Sequence, residues 1–97
     1  MATYILLGNW TEHGIRAVAD SPKRLDTAKS LLQEMGGQFK AFYMTMGEHD
    51  FVLAYDAPDD AVAARFTLMT GRQGFVRTRT LKAFPEAAYR EIIHSVG

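Results

Sequence analysis

Short apolar or alternating segments occur four times along the chain, at a length that suits β-strands. They are rich in β-branched and aromatic residues and are bounded by glycine, aspartate or proline. The second and third segments are separated by a turn at Gly47, which favours an antiparallel hairpin. The predicted strands are residues 3–8, 38–46, 49–56 and 74–84.

Three further segments have the apolar spacing of amphipathic helices. The first is predicted to begin with Ser21 as its N-cap and Pro22 at the first helical position, and a glycine pair ends it. The second follows carboxylate caps in residues 56–60, and a short third helix follows Pro85. The apolar stripes are Leu25, Ala28, Leu32 and Met35, then Val62, Phe66 and Met69, then Tyr89, Ile92, Ile93 and Val96. The polar side of the first helix carries Lys23, Arg24, Lys29 and Gln33.

The order of these elements is strand, helix, strand, strand, helix, strand and a tail helix. This is the split βαβ arrangement, so the sequence predicts an α+β, ferredoxin-like fold with both main helices on one face of an antiparallel sheet. Residues 9–20 have no clear period and are predicted to be a long connection with at most a helical turn. A chain of 97 residues with no dividing linker suits a single domain, residues 1–97.

The second face of the predicted sheet has no helix to cover it, because both crossovers have the same hand. The first three strands are nevertheless apolar on both faces, which predicts a second layer. A second copy of the sheet, face to face about a two-fold axis, is the interpretation that we favour, giving a homodimer or higher homo-oligomer. The alternative is that the tail helix covers this face in a monomer. In the second strand, strict alternation places Phe39, Ala41 and Tyr43 on one face and Phe42, Met44 and Met46 on the other.

Composition narrows the classes of partner. Eleven basic and eleven acidic residues give a formal net charge of zero, so nucleic acid and anionic membranes are not expected partners. The chain has no cysteine, which excludes disulfides and thiolate chemistry. No leader pattern and no apolar run near ~20 residues is present, so we expect a cytoplasmic protein.

Two arginines form the most suggestive polar feature. Arg77 and Arg79 alternate onto one face of the fourth strand, and strict alternation would place Phe75 and Leu81 beside them. Buried guanidinium groups need a carboxylate or another anion. Ion pairs within the chain or across a dimer are the favoured explanation. A pocket that holds a small anion, between sheet layers or between sheet and helices, is the alternative. The candidate acids are Glu48, Asp50 and Asp56.

The histidines and Asp50 give no catalytic or metal-binding pattern. His49 and Asp50 are adjacent on a strand and so point to opposite faces, and Asp50 is predicted to satisfy backbone N–H groups near the turn. His13, His49 and His94 lack metal-ligand spacing, and we predict no metal, cofactor or catalytic set. The candidate ligand-binding residues are Trp10, Tyr43, His49, Asp50, Arg77 and Arg79.

Several segments together resemble the GYD domain family of small bacterial and archaeal proteins. They are residues 6–11, 21–24, 45–50, 59–63 and 77–84. In the Gly-x-Tyr-Asp motif of that family, Gly47 and Asp50 match, whereas His49 stands where tyrosine is usual. The resemblance implies a ferredoxin-like domain of the dimeric α/β barrel type, and it implies no activity.

Two functions are therefore compared. The first is a non-enzymatic, self-associating domain that binds a small apolar or anionic ligand between its sheet layers. The second is a cofactor-independent oxygenase or isomerase that uses His49 or Asp50 as a base beside an arginine that stabilises an anion. The second rests on analogy of fold.

Overall fold

A computed structural model describes residues 1–97. It contains one antiparallel sheet with the strand order β2-β3-β1-β4, and the predicted α+β, ferredoxin-like arrangement is confirmed. None of its helices is both long and apolar enough to cross a bilayer. The elements are β1 (Ala2–Trp10), α1 (Glu12–Arg16), a 3-10 turn (Val18–Asp20), α2 (Ser21–Glu34), β2 (Gln38–Met44), β3 (Phe51–Ala57), α3 (Asp60–Gly71), β4 (Val76–Ala83) and α4 (Glu86–Val96).

The core lies between the sheet and the two long helices, α2 and α3. Alternate residues of the central strands β1 and β3 point into it, as the two-residue period of a strand requires. Leu32 from α2 and Phe66 from α3 close it from the helix side, and both are almost fully buried. The sheet contributes Tyr4, Leu6, Phe51, Leu53, Tyr55 and Ala57 to this inner face.

Strand β2 contains an irregularity that changes which residues share a face. Its register against β3 shifts between Phe39 and Ala41, as at a β-bulge. Phe39 pairs with Tyr55 and therefore lies on the inner face, whereas Ala41 pairs with Ala54 on the outer face. The predicted grouping of Phe39 with Ala41 and Tyr43 is wrong, because strict alternation holds only where no residue is inserted into the ladder. Phe39, Phe42 and Met44 occupy the inner face, and Ala41 and Tyr43 the outer one.

The connection after β1 is more ordered than the sequence predicted. Thr11 is the N-cap of α1 and accepts the N–H of Gly14 at 3.0 Å, while its own hydroxyl donates to the carbonyl of Gly74 at 2.6 Å. The backbone N–H of Thr11 also donates to the carbonyl of Phe75 at 3.0 Å. These bonds attach α1 to the start of β4.

The predicted helix starts are close to the observed ones. Asp59 caps α3 by accepting the N–H of Val62 at 2.9 Å. Helix α2 includes Ser21 as its first residue, and Asp20 occupies the N-cap position without a side-chain bond, so the predicted Ser21 cap is displaced by one residue. Helix α4 begins directly after Pro85, as predicted.

Helix α4 does not cover the open face of the sheet. It contains no buried residue, and its large apolar side chains, Tyr89, Ile92, Ile93 and Val96, are more than two-fifths exposed. The Cα radius of gyration is 14.5 Å, against about 12.5 Å for a compact domain of this length. The molecule extends 51 × 31 × 18 Å, and its short axis suits one sheet and one layer of helices. The monomer closed by its tail helix is therefore not what the structure shows.

Candidate functional site

The outer face of the sheet is apolar over most of β1, β2 and β3 and at Leu81 of β4, whose other outer residues include Arg77 and Arg79. In register, Leu7 of β1 faces Val52 of β3, and Ile5 lies between Ala54 of β3 and Leu81 of β4. At the edges of this face, Tyr43 is 66% exposed and Leu81 is 52% exposed. We call the set Ile5, Leu7, Ala41, Tyr43, Val52, Ala54 and Leu81 the open face. No part of the chain packs over it as a second layer.

Arg77 and Arg79 lie on the same side of the sheet, beside the open face. They pair in register with Asn9 and Leu7 of β1, and both are exposed on β4, which is an edge strand. None of the four ion pairs of the chain includes either arginine, so the structure shows no pairing within the chain, and pairing across a dimer stays a prediction. Asp56, one candidate acid, is occupied: it accepts the hydroxyl of Thr3 at 2.7 Å and pairs with Lys40 at 3.5 Å. Phe75 is also not beside the arginines, since β4 begins at Val76 and Phe75 lies on the helix side.

His49 and Asp50 attach the β2–β3 loop to the end of β1. The Asp50 carboxylate accepts the backbone N–H of Trp10 at 3.0 Å, and the Asp50 N–H donates to the carbonyl of Gly8 at 2.8 Å. The Asn9 side-chain nitrogen donates to the carbonyl of Glu48 at 2.9 Å, and the Asn9 side-chain oxygen lies 3.1 Å from His49 Nδ1. Because that oxygen can only accept a hydrogen bond, the imidazole proton of His49 is assigned to Nδ1. Asp50 does satisfy a backbone N–H, as predicted, but that group belongs to β1 instead of the turn.

The six predicted ligand-binding residues do not form one site. Tyr43, Arg77 and Arg79 are on the outer side of the sheet, and His49 and Asp50 are at the end of that side. Trp10 lies on the inner side, where its ring is 5.7 Å from that of Phe51. The structure contains no group of three or more His, Asp or Glu residues that could hold a metal ion.

A polar cluster at the other end of the sheet joins α3 to β1 and β4. The hydroxyl of Tyr4 donates to Asp60 Oδ1 at 2.5 Å, and Lys82 Nζ lies 3.1 Å from the same oxygen. Burial and the Asp60 carboxylate raise the pKa of Tyr4 to about 12. The Tyr4 hydroxyl, and then Lys82, lower the pKa of Asp60. Sequence patterns did not predict this cluster, although Tyr4 and Lys82 prove to be partners in register.

A cavity of about 330 Å³ lies between the inner face of the sheet and helices α2 and α3. Arg24 of α2 lines it, although the helical pattern predicted this residue on the exposed side of the helix. Arg24 Nη1 donates to the carbonyl of Ala17 at 3.1 Å, and the guanidinium carbon is 4.2 Å from the centre of the Phe75 ring. Arg24 Nη2 is buried and has no hydrogen-bond partner. The aromatic residues of the lining are Trp10, Phe42, Phe51, Phe66 and Phe75.

Comparison with known proteins places the chain in a family. It matches the family described as GYD domain over residues 4–93 and belongs to it. A relative from Thermus thermophilus, named glutamine synthetase and cystathionine beta-lyase binding protein, is 34% identical over 88 residues. The aligned part covers 90% of this chain and 93% of the relative. No solved structure gives a significant match.

Proposed function

We propose that this protein is a non-enzymatic, protein-binding module that works as a face-to-face homodimer. The observation that carries the proposal is the open face, whose apolar residues come from all four strands and which helix α4 does not cover. An exposed apolar surface of this extent is typical of a protein interface. A second copy is the occupant that we propose for it.

The energetic argument for a second copy is its symmetry. Moving a half-exposed Leu, Ile or Val out of water contributes about 1 kcal/mol. A two-fold axis doubles every such contact, because each residue of the open face meets the partner's copy of the same surface. Face-to-face packing of two sheets therefore buries the central residues Ile5, Leu7, Val52 and Ala54 of both copies.

Helix α4 supports the same assembly. Its apolar stripe is exposed, with Tyr89 at 55%, Ile92 at 42% and Ile93 at 53% of their accessible surface. An amphipathic helix whose apolar stripe is unpartnered requires a second surface to be stable in water. We propose that α4 packs against the second copy, at the margin of the paired sheets.

The partner that the dimer binds is proposed from the relative. By likeness to the Thermus thermophilus protein, we propose that the dimer binds glutamine synthetase, cystathionine beta-lyase or both. Arg77 and Arg79 lie on the edge strand, so they stay accessible at the rim of a face-to-face dimer. Two guanidinium groups without acids of their own favour an acidic patch on the partner enzyme. Tyr43, His49 and Asp50 border the dimer interface in this arrangement.

The homodimer is tested by placing a charge on the open face. Ile5→Asp should give a monomer in sedimentation velocity, because its in-register neighbours are Ala54 and Leu81 and the carboxylate would be buried at the seam without a partner. Leu68→Asp is the matched control, since Leu68 is 69% exposed on α3, away from the open face. The parent and Leu68→Asp should both sediment as dimers. A monomeric parent, or a dimeric Ile5→Asp, would contradict the proposed interface.

Binding of an enzyme is tested separately with purified proteins. We expect the parent to bind glutamine synthetase or cystathionine beta-lyase of its own organism in biolayer interferometry. Arg77→Glu with Arg79→Glu should weaken binding at least tenfold, and Arg65→Glu with Arg72→Glu, on α3 and at its C-cap, should not. A dimeric parent that binds neither enzyme would remove these partners from the proposal.

A further inference from the structure

We propose that the cavity between the helices and the sheet binds a small carboxylate with an apolar body, and that Arg24 holds its carboxylate group. This function goes beyond protein binding. It is also independent of the dimer, because the cavity and the open face lie on opposite sides of the sheet.

The size of the cavity suits one small molecule. Its volume of about 330 Å³ is at the lower end of the range for ligand pockets, which is about 300–1,000 Å³. At about 30 Å³ for each displaced water, this corresponds to a ligand of roughly ten non-hydrogen atoms. Most of the lining is apolar, so water in the cavity finds few hydrogen-bond partners on its walls and its displacement by an apolar ligand is favourable. Exposed lining residues, among them Pro22, Met44 and Gln73, show that the cavity reaches the surface.

The walls of the cavity suit an apolar body. Five aromatic rings line it, and Leu25 and Leu31 of α2 add aliphatic surface. The rings of Phe42 and Phe51 lie 5.7 Å apart at 26°, so they present a stacked aromatic wall. An aromatic or aliphatic group placed here exchanges water for close contacts on several sides.

Arg24 supplies the charge that selects a carboxylate. Its Nη1 is fixed by the carbonyl of Ala17, and its plane packs on Phe75, so the guanidinium is already oriented. Arg24 lines the cavity, its Nη2 is buried without a hydrogen-bond partner, and no ion pair of the chain involves this residue. A buried guanidinium N–H without an acceptor is unfavourable, and a carboxylate oxygen is the acceptor that suits it best. Because Nη2 is the one buried Arg24 nitrogen without a partner and the cavity walls are mostly apolar, a singly charged carboxylate suits the site better than a doubly charged anion.

Binding can be measured through Trp10, because it lines the cavity and is the one tryptophan of the chain. The probes are octanoate and 3-phenylpropanoate, each compared with its primary alcohol, which has the same shape and no charge. We expect the carboxylates to change Trp10 fluorescence and to bind at least tenfold more tightly than the alcohols. Equal affinity for acid and alcohol would overturn the role of Arg24. No response to any probe would overturn the site.

Two variants distinguish the contribution of the Arg24 charge to ligand binding from that of the cavity volume. Arg24→Met should abolish the preference for the carboxylate and leave alcohol binding unchanged, whereas Arg16→Met, at an exposed arginine, should leave the preference intact. Ala28→Phe should abolish binding of both probe classes, because Ala28 lines the cavity and a phenyl ring would fill it. Circular dichroism checks that each variant is folded. If Arg24→Met does not fold, Ala28→Phe still tests whether the cavity is the binding site. Unchanged binding of the probes by Ala28→Phe would show that they bind outside the cavity.

Discussion

At the scale of single residues, two tyrosines show how much a hydroxyl partner matters. Tyr4 and Tyr55 face each other across β1 and β3, with ring centres 5.4 Å apart, and both rings are buried. Tyr4 donates to Asp60, whereas the hydroxyl of Tyr55 has no hydrogen-bond partner. The hydroxyls of Thr67 and Thr80 bond to each other at 3.2 Å and lie near the Tyr55 hydroxyl, where they partly offset the rise that burial causes in the pKa of Tyr55. The same side chain therefore has a carboxylate acceptor at one position and, at the other, two nearby threonine hydroxyls without a bond of good geometry.

We predict opposite effects of removing these two hydroxyls. Tyr55→Phe should raise the free energy of unfolding by about 1 kcal/mol, because it removes an unpaired buried polar group. Tyr4→Phe should lower it by about 1 kcal/mol, because it breaks a bond to a carboxylate. Urea denaturation at neutral pH measures both. A loss of stability in Tyr55→Phe as large as that in Tyr4→Phe would show that the Tyr55 hydroxyl has a partner after all.

The Tyr4–Asp60 bond also predicts how stability depends on pH. The pKa of Tyr4 is raised from 10.0 to about 12, so the folded state keeps a proton that the unfolded state loses. The stabilisation is complete below pH 10 and should be lost between pH 10 and 12. The pKa of Asp60 is lowered from 3.8, so its contribution should be lost as the pH falls below that value. Chemical denaturation across pH should show a shallower alkaline decrease in Tyr4→Phe than in the parent, and equal slopes would contradict the assignment.

At the scale of elements, α1 depends on a glycine that lies against the strand it is attached to. A Cβ built on Gly14 would lie 1.9 Å from the carbonyl oxygen of Phe75. The residue is buried, and no flexible side chain is there to move aside. Close approach of two backbones, and not a left-handed conformation, therefore requires glycine at this position.

We predict that Gly14→Ala destabilises the protein by about 2–3 kcal/mol, because α1 must move away from Phe75. Gly71→Ala is the control, since a Cβ at this last residue of α3 would contact nothing within 4 Å. That substitution should stabilise the protein by up to about 1 kcal/mol through helix propensity. Thermal unfolding compares the two. Similar small effects would mean that α1 does not pack against Phe75 in solution.

At the scale of the whole molecule, the distinctive feature is that two apolar surfaces are left without a partner. The open face is one and the stripe of α4 is the other. The long axis of 51 Å reflects a helix that buries none of its residues against the domain. A chain of this size buries a modest share of its surface, so assembly is an effective way to add to its core.

We predict that deleting residues 85–97 leaves the fold intact. In the monomeric Ile5→Asp background, the deletion should change the free energy of unfolding by less than about 1 kcal/mol, because no residue of α4 is buried. In the parent background it should weaken the dimer. Urea denaturation and sedimentation equilibrium provide the two measurements. A loss of several kcal/mol in the monomer would show that α4 packs against its own domain.

The sequence by itself determined the order of the elements, because their signals are local. Short apolar or alternating runs identified the strands, and the carboxylates of residues 56–60 and the Pro85 start located two helices to within a few residues. Alternation also placed Arg77 and Arg79 together on one side of β4. It could not show that Asp56, one of their candidate acids, is occupied, since Asp56 bonds to Thr3, which is 53 residues away.

The tertiary structure alone decided which faces and which groups meet. The register shift at Phe39 moves that ring to the inner face, and its cause is pairing with β3 instead of any feature of β2 itself. Arg24 lies on a polar stretch of sequence, yet the contacts with Ala17 and Phe75 carry it into the cavity. The joining of Tyr4 to Asp60 depends on residues 56 positions apart. Periodicity and caps act between neighbours along the chain, whereas a cavity and a buried polar group exist only once distant segments have packed.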